Sequence, residues 1–285
     1  MPGREIEVRD TVLWVEDTGE SDLPVVLCLH SLFLDGRMFD AFVDAAAGRY
    51  RVVRPDFRGQ GRSAAATTPL IDMETCAADI DALVRNLDLE SINLLMQSMG
   101  GDVGFRLMAM APERFRAAVT MGSSVRNEPA DQLEQFRKWV DDASKGGFVG
   151  DTLEMTMAIM FGETTRNDPS QGEMLALWRS RIASLPTSLR PAMSGVIERG
   201  SALPLLPSIE VPTLIFSGEE DLPRPPAWSD EMAEALPNAK LVRLLKVGHS
   251  PILEVPDIVI PLILDFFENP DVSTKYEERE RAGVS

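Results

Sequence analysis

Leu94-Leu95-Met96-Gln97-Ser98-Met99-Gly100-Gly101 is the stretch on which the reading of this chain turns. An apolar run from Ile92 to Met96 enters Ser98, and a small-residue, helix-forming stretch from Gly100 to Met110 leaves it. That order predicts a strand, a sharp turn and a helix, with a hydroxyl at the apex. Such a turn lifts a serine above the sheet edge and aims the first amides of the next helix at whatever the serine attacks. Gly100 and Gly101 lack a Cβ, which lets the helix start tight against the strand. The elbow pattern is Gly-x-Ser-x-Gly, and Met96 stands at its first glycine. Serine is also common in turns, so this stretch alone leaves Ser98 open as nucleophile or turn residue.

Working outward, the chain alternates. Residues 5–16 read as an opening strand pair turning near Arg9-Asp10, and residues 24–30 as a strand buried on both faces. A short helix follows over 35–47, a strand over 50–55, and a Gly-rich loop over 56–63. Residues 72–87 place Met73, Cys76, Ile80, Leu83, Val84 and Leu87 on one helical face. After the elbow, 115–121 reads as the next strand. Alternation of this kind implies a mostly parallel sheet covered on both faces. It stops at about Ser124. From there to Leu205 only helical patterns occur, over 129–145, 149–161, 171–183 and 187–199, and they read as a helical insertion. Strands at 211–216 and 240–245 and helices at 226–236 and 255–267 resume the pattern. Residues 271–285 are polar and read as a disordered tail.

The 285 residues, 44% hydrophobic and 26% charged, suit one large domain with an insertion. A formal charge of −17 argues against nucleic acid and anionic membrane surfaces as partners. Cys28 and Cys76 fall inside apolar patterns and read as buried thiols. There is no metal-ligand spacing, and no cofactor is expected. The N-terminus carries no apolar signal region, and no apolar run approaches the ~20 residues of a spanning helix. The expected location is the cytoplasm, with a homodimer as one possible assembly.

A serine hydroxyl needs a base, and the base needs an acid to fix its tautomer. The chain holds two histidines, His30 and His249. Loops after residues 30, 97, 217 and 245 open at the carboxyl edge of the sheet, where ligands bind in open α/β folds. The loop after the 211–216 strand is Gly218-Glu219-Glu220-Asp221. Ser98, Asp221 and His249 thus follow the chain order Ser…Asp…His, with Asp221 preferred over its glutamate neighbours.

At this point the chain resembles the α/β-hydrolase family over nearly all of residues 5–268. The matching pieces are His30-Ser31-Leu32, Asp56-Phe57-Arg58-Gly59-Gln60-Gly61-Arg62-Ser63, Gln97-Ser98-Met99-Gly100-Gly101, the loop Gly218 to Asp221, and Gly248-His249. The resemblance implies a mostly parallel eight-stranded sheet flanked by helices, with a helical cap inserted after the sixth strand. The core would be 1–123 and 206–270, and the cap 124–205. It implies Ser98 as nucleophile, His249 as general base and acid, and Asp221 as the group that orients the histidine. The backbone N–H groups of Met99 and Leu32 would form the oxyanion hole. His30, Asp56 and Arg58 would be structural. Ser31 replaces the family's frequent glycine.

Arg37-Met38-Phe39 and Met160-Phe161-Gly162 look most like the 3-oxoadipate enol-lactonase group and its carboxylesterase relatives. A serine nucleophile argues against the haloalkane dehalogenase and epoxide hydrolase branches. The expected activity is hydrolysis of a small carboxylic ester or lactone. A carbon–carbon bond hydrolase of the meta-cleavage type and a non-catalytic small-ligand module are the alternatives, and a haloperoxidase activity would be a side reaction of the same site. Trp139, Phe148, Met160, Phe161 and Trp178 are the expected pocket residues, with Met155, Met157, Met174 and Met193 as further soft cap residues set against ordinary helix packing. Arg126 reads as a surface arginine, with a substrate carboxylate as its other contact. A histidine base implies a rate that falls below about pH 6.5, where imidazoles protonate.

Overall fold

The computed structural model describes residues 3–281. Its strands are β1 (Gly3–Val8), β2 (Thr11–Asp17), β3 (Val25–Leu29), β4 (Arg51–Pro55), β5 (Ile92–Gln97), β6 (Phe115–Met121), β7 (Thr213–Gly218), β8 (Ala239–Leu245) and β9 (Tyr276–Glu280). Its α-helices are α1 (Asp40–Ala46), α2 (Met73–Asn86), α3 (Met99–Met110), α4 (Leu133–Gly146), α5 (Gly150–Met160), α6 (Glu163–Asn167), α7 (Gly172–Ala183), α8 (Arg190–Ile197), α9 (Pro226–Ala235), α10 (Pro251–Glu254) and α11 (Pro256–Glu268). The strands form one sheet in the order β1-β2-β4-β3-β5-β6-β7-β8-β9. β1 and β2 are antiparallel to each other, β2 is antiparallel to β4, and all remaining pairs are parallel.

The parallel centre explains the composition of its strands. Every residue of β5 and β7 is buried, so both faces of these strands must be apolar or hydrogen-bonded. α2 packs on α3, and α1 on α11. α3 is buried from Met99 through Met108, because it lies against β3, β5 and β6 as well as α2. Phe105 on this helix has no exposed surface, a burial that contributes ~1.5–3 kcal/mol. Register aligns the strand ends: Leu29 lies beside Met96, Gln97 beside Met121, and Met121 beside Phe216. The loops that follow β3, β5, β6 and β7 therefore open on one edge.

α4 through α8 form the inserted helical cap between β6 and β7. Two expectations need correction. The sheet has nine strands, not eight, and the tail expected to be disordered supplies the ninth. β9 adds to β8 in parallel, Leu241 beside Tyr276 and Leu245 beside Glu280. Its side chains are mostly exposed and charged, so no apolar periodicity announces it. Backbone pairing and the Lys240–Glu277 ion pair at 2.8 Å hold it instead. Residues 282–285 of that tail lie outside the described residues. The short helix α6 has only five residues, too few to show a helical periodicity in the sequence. Both cysteines are free and buried, and burial pushes both thiols up. Among the described residues, no helix is long and apolar enough to cross a membrane.

Candidate active site

Ser98 sits between β5 and α3 with φ 51° and ψ −113°. A non-glycine residue held there stores about 1–3 kcal/mol, and the surrounding hydrogen bonds hold it. The Ser98 N–H donates to the Met121 carbonyl at 2.9 Å. The Ser98 carbonyl accepts from the Gly101 and Asp102 amides at 2.9 and 3.2 Å, and from the Ser123 hydroxyl at 3.1 Å. A Cβ on Gly100 would lie 2.1 Å from the Leu29 carbonyl oxygen, so only glycine permits this approach of helix to strand. Met96, the departure from the elbow pattern, is accommodated one turn on: its sulfur lies 2.1 Å from where a Cβ on Gly104 would stand. The missing glycine in the strand is matched by a glycine in the helix.

His249, in the loop between β8 and α10, donates Nδ1–H to Asp221, whose oxygens lie at 2.9 and 3.0 Å. Nε2 is then left with its lone pair. Both residues are buried, at 3% and 4% exposure, which shields the pair from water. Asp221 Oδ1 also accepts from the Arg224 amide at 2.9 Å. The His249 carbonyl accepts from the Gln97 side-chain amide, so the residue before Ser98 holds the backbone of His249. Gly122 has φ 54°, and a Cβ there would lie 2.9 Å from His249 Nδ1. Gln97 and Gly122 are two site residues the sequence reading did not assign.

The turn after β3 holds the residues read as an oxyanion turn. His30 Nε2 accepts from the Phe57 amide at 2.9 Å, which leaves Nδ1–H to donate to the Ser31 carbonyl at 2.8 Å. His30 is wholly buried and ties this turn to the loop after β4. Asp56 works the same way, accepting from the Gly36 and Arg62 amides at 2.9 Å each. Arg58 meets both oxygens of Asp79, at 2.6 and 2.7 Å. Among the described residues, the Leu32 and Met99 amides have no backbone acceptor outside the regular elements.

The cap reaches this edge through two carboxylates. Glu220, next to Asp221, accepts from the Thr164 amide at 2.8 Å and the Thr164 hydroxyl at 2.5 Å. Glu254, 1% exposed, accepts from Gly162 and Gly248 amides at 3.0 and 3.1 Å, from Ser250 at 2.9 Å and from the Thr165 hydroxyl at 2.5 Å. Burial pushes the Glu254 carboxyl above its ordinary range, against the pull of these donors.

The model of the alpha/beta hydrolase fold family matches residues 24–256. The chain belongs to this family. Among its relatives, the pimeloyl-[acyl-carrier protein] methyl ester esterase of Chromobacterium violaceum is 29% identical over 249 residues, covering 85% of this chain and 92% of that protein. A thermophilic esterase from Thermogutta terrifontis superposes with a TM-score of 0.84 at 29% identity, covering 95% of this chain and 99% of the other. The enol-lactonase from Burkholderia xenovorans LB400 shares the fold with a TM-score of 0.85 at 24% identity, covering 93% and 100%.

The expected pocket residues of this hydrolase are gathered only in part. Trp139 and Phe148 both meet the ring of Phe33, at 5.5 and 5.6 Å between centroids, and Phe33 directly follows Leu32. Met160 and Phe161 are buried where the cap meets the His249 loop. Trp178 lines a cleft of about 440 Å³ with Met38, Ile252 and Glu254. Arg126 pairs with Glu231 at 3.1 Å and lies over Trp228, both partly exposed, as a surface arginine does.

A buried four-charge cluster joins the cap to the core. Arg199 lies 3.2 Å from Asp102 and 2.6 Å from Glu128, and Arg224 lies 2.9 Å from Glu128. Burial works against ionisation of Glu128, but Arg224 and Arg199 outweigh it and hold its carboxyl below the usual range. Burial and the neighbouring Arg199 push Arg224 down. Glu128 and Arg199 belong to the two ends of the cap, Asp102 to α3 and Arg224 to the Asp221 loop. Their ion-pair partners are 71 to 122 positions away along the chain, so no local pattern marks them.

Proposed function

We propose that the protein is a serine hydrolase of small carboxylic esters or lactones. One observation carries this reading: the His249–Asp221 hydrogen bond at 2.9 Å, set on the same sheet edge as a strained Ser98. In the proposed reaction Ser98 Oγ attacks the carbonyl carbon while His249 Nε2 takes the hydroxyl proton. The tetrahedral oxyanion is met by the Leu32 and Met99 N–H groups. Collapse breaks the carbon–oxygen bond, and His249 returns the proton to the leaving alkoxide. Water, deprotonated by the same ring, then cleaves the acyl-enzyme to the acid and free Ser98. Asp221 holds the imidazole in the required tautomer and stabilises its cation.

The cap residues Trp139 and Phe148, which meet Phe33 of the oxyanion turn, favour a compact apolar acyl or ring portion. The esterase relatives named above support an ester substrate. The test is hydrolysis of p-nitrophenyl acetate to butyrate and of small lactones by the native protein and Ser98→Ala in parallel. Turnover that drops by about 10⁴-fold or more in the variant is expected. No turnover of any of these substrates, or turnover that survives the substitution, would overturn the assignment.

A further inference from the structure

We propose that Glu254 is a positioning residue for His249, and that it makes the cap and the catalytic histidine answer to one carboxylate. The inference rests on the serine-hydrolase reading. His249 is bracketed by Gly248 and Ser250, and the amides of both donate to Glu254, at 3.1 and 2.9 Å. With the Gln97 amide on the His249 carbonyl and Asp221 on its ring, the residue is held from both sides along the chain and from its side chain. The same Oε2 that receives Gly248 receives the cap, through the Gly162 amide at 3.0 Å and the Thr165 hydroxyl at 2.5 Å.

The joint leaves no room for slippage. A Cβ on Gly248 would stand 2.1 Å from the Gly162 nitrogen, so the cap backbone lies directly on the backbone of the His249 loop. Thr165 is in turn fixed by Arg281, whose guanidinium donates to its hydroxyl at 2.7 Å and meets Asp168 at 2.7 Å. A shift of the cap cannot leave Glu254 in place, and a shift of Glu254 moves both amides that flank His249. Displacing a catalytic group by about 1 Å costs on the order of 10²-fold in rate.

All four neighbours of the carboxylate are donors, and this makes Glu254→Gln informative. The carboxamide keeps the length of the side chain, but its NH2 must face either Ser250 or the Gly162–Gly248 pair. At least one amide beside His249 or in the cap loses its acceptor whichever way it turns.

The experiment reads the histidine directly. The chain has two histidines, so the imidazole resonances of His249 are assigned by NMR with His30 as internal reference. In the native protein the Nδ1–H proton bonded to Asp221 is expected as a protected downfield signal. In Glu254→Gln that signal broadens or disappears while the His30 resonances stay unchanged. With p-nitrophenyl acetate, kcat falls about 10- to 100-fold and KM moves by less than about threefold. A purely stabilising Glu254 would lower the melting temperature and leave the His249 signal and kcat intact, which overturns the proposal. If Glu254→Gln fails to fold, Thr165→Val decides: a broadened His249 signal supports the proposal, and an unchanged one overturns it. Native protein without ester turnover would defeat the hydrolase reading, while the NMR comparison would still decide the role of Glu254.

Discussion

At the residue scale, the site depends on side chains that restrict one another. Asp221 accepts the hydrogen bond from His249 Nδ1–H, so Asp221→Asn offers a donor where an acceptor is needed. Its kcat is expected to fall about 10⁴-fold with the fold retained, and steady-state kinetics beside circular dichroism check it. Met96 and Gly104 form a second pair. Gly104→Ala puts a methyl on the Met96 sulfur and is expected to cost about 1–3 kcal/mol by overpacking. Adding Met96→Ala should recover part of that loss, and a double-mutant cycle by urea unfolding reads the coupling. No rule about strands or helices links these residues. Met96 reads as a flaw in the elbow until the helix beside it is in view.

At the element scale, β9 shows how a strand escapes a reading based on apolar patterns. Its residues are charged, and it lies at the sheet edge, where charge is the usual guard against pairing with other chains. Its following residue, Arg281, is 6% exposed and pairs with Asp168 and Thr165 on the cap. Arg281→Ala leaves Asp168 and Thr165 without this partner. The expected loss is about 1–3 kcal/mol, a melting temperature lower by roughly 2–8 °C. A melt that does not move would show that this tether contributes no stability. The long elements were legible because each carries a repeating burial pattern. α2 declares its buried face through Met73, Cys76, Ile80 and Leu83, whereas α6 has five residues and declares nothing.

At the scale of the whole molecule, cap and core are joined by buried charge as well as by apolar contact. Asp102, Glu128, Arg199 and Arg224 balance one another where the cap leaves and rejoins the core. Removing one partner strands a buried charge, so Glu128→Gln is expected to lose about 3–5 kcal/mol at neutral pH. The sign with pH follows from the arginines' hold on Glu128. Its folded pKa lies below the unfolded value, so its contribution is complete above about pH 4.3, the ordinary range for a glutamate. It is lost as pH falls through the lower folded value. Denaturant unfolding of native and Glu128→Gln proteins from pH 7 to pH 3 should show a gap that narrows on the acid side. A gap that widens would reverse the assignment.

The sequence by itself determined the alternation of strands and helices, the interruption by a helical cap, and the order Ser98, Asp221, His249. It could do so because periodicity and turn chemistry are local, and because a chain with two histidines leaves few bases to consider. Tertiary structure alone decided what surrounds those residues. Glu254 gathers Gly162, Thr165, Gly248 and Ser250, Gln97 reaches the His249 carbonyl, and Gly122 yields space to the His249 ring. These partners lie up to 152 positions apart along the chain. The physical reason is that a hydrogen bond or a close approach in a folded protein depends on distance in space, and only the assembled sheet edge and cap bring these residues within reach.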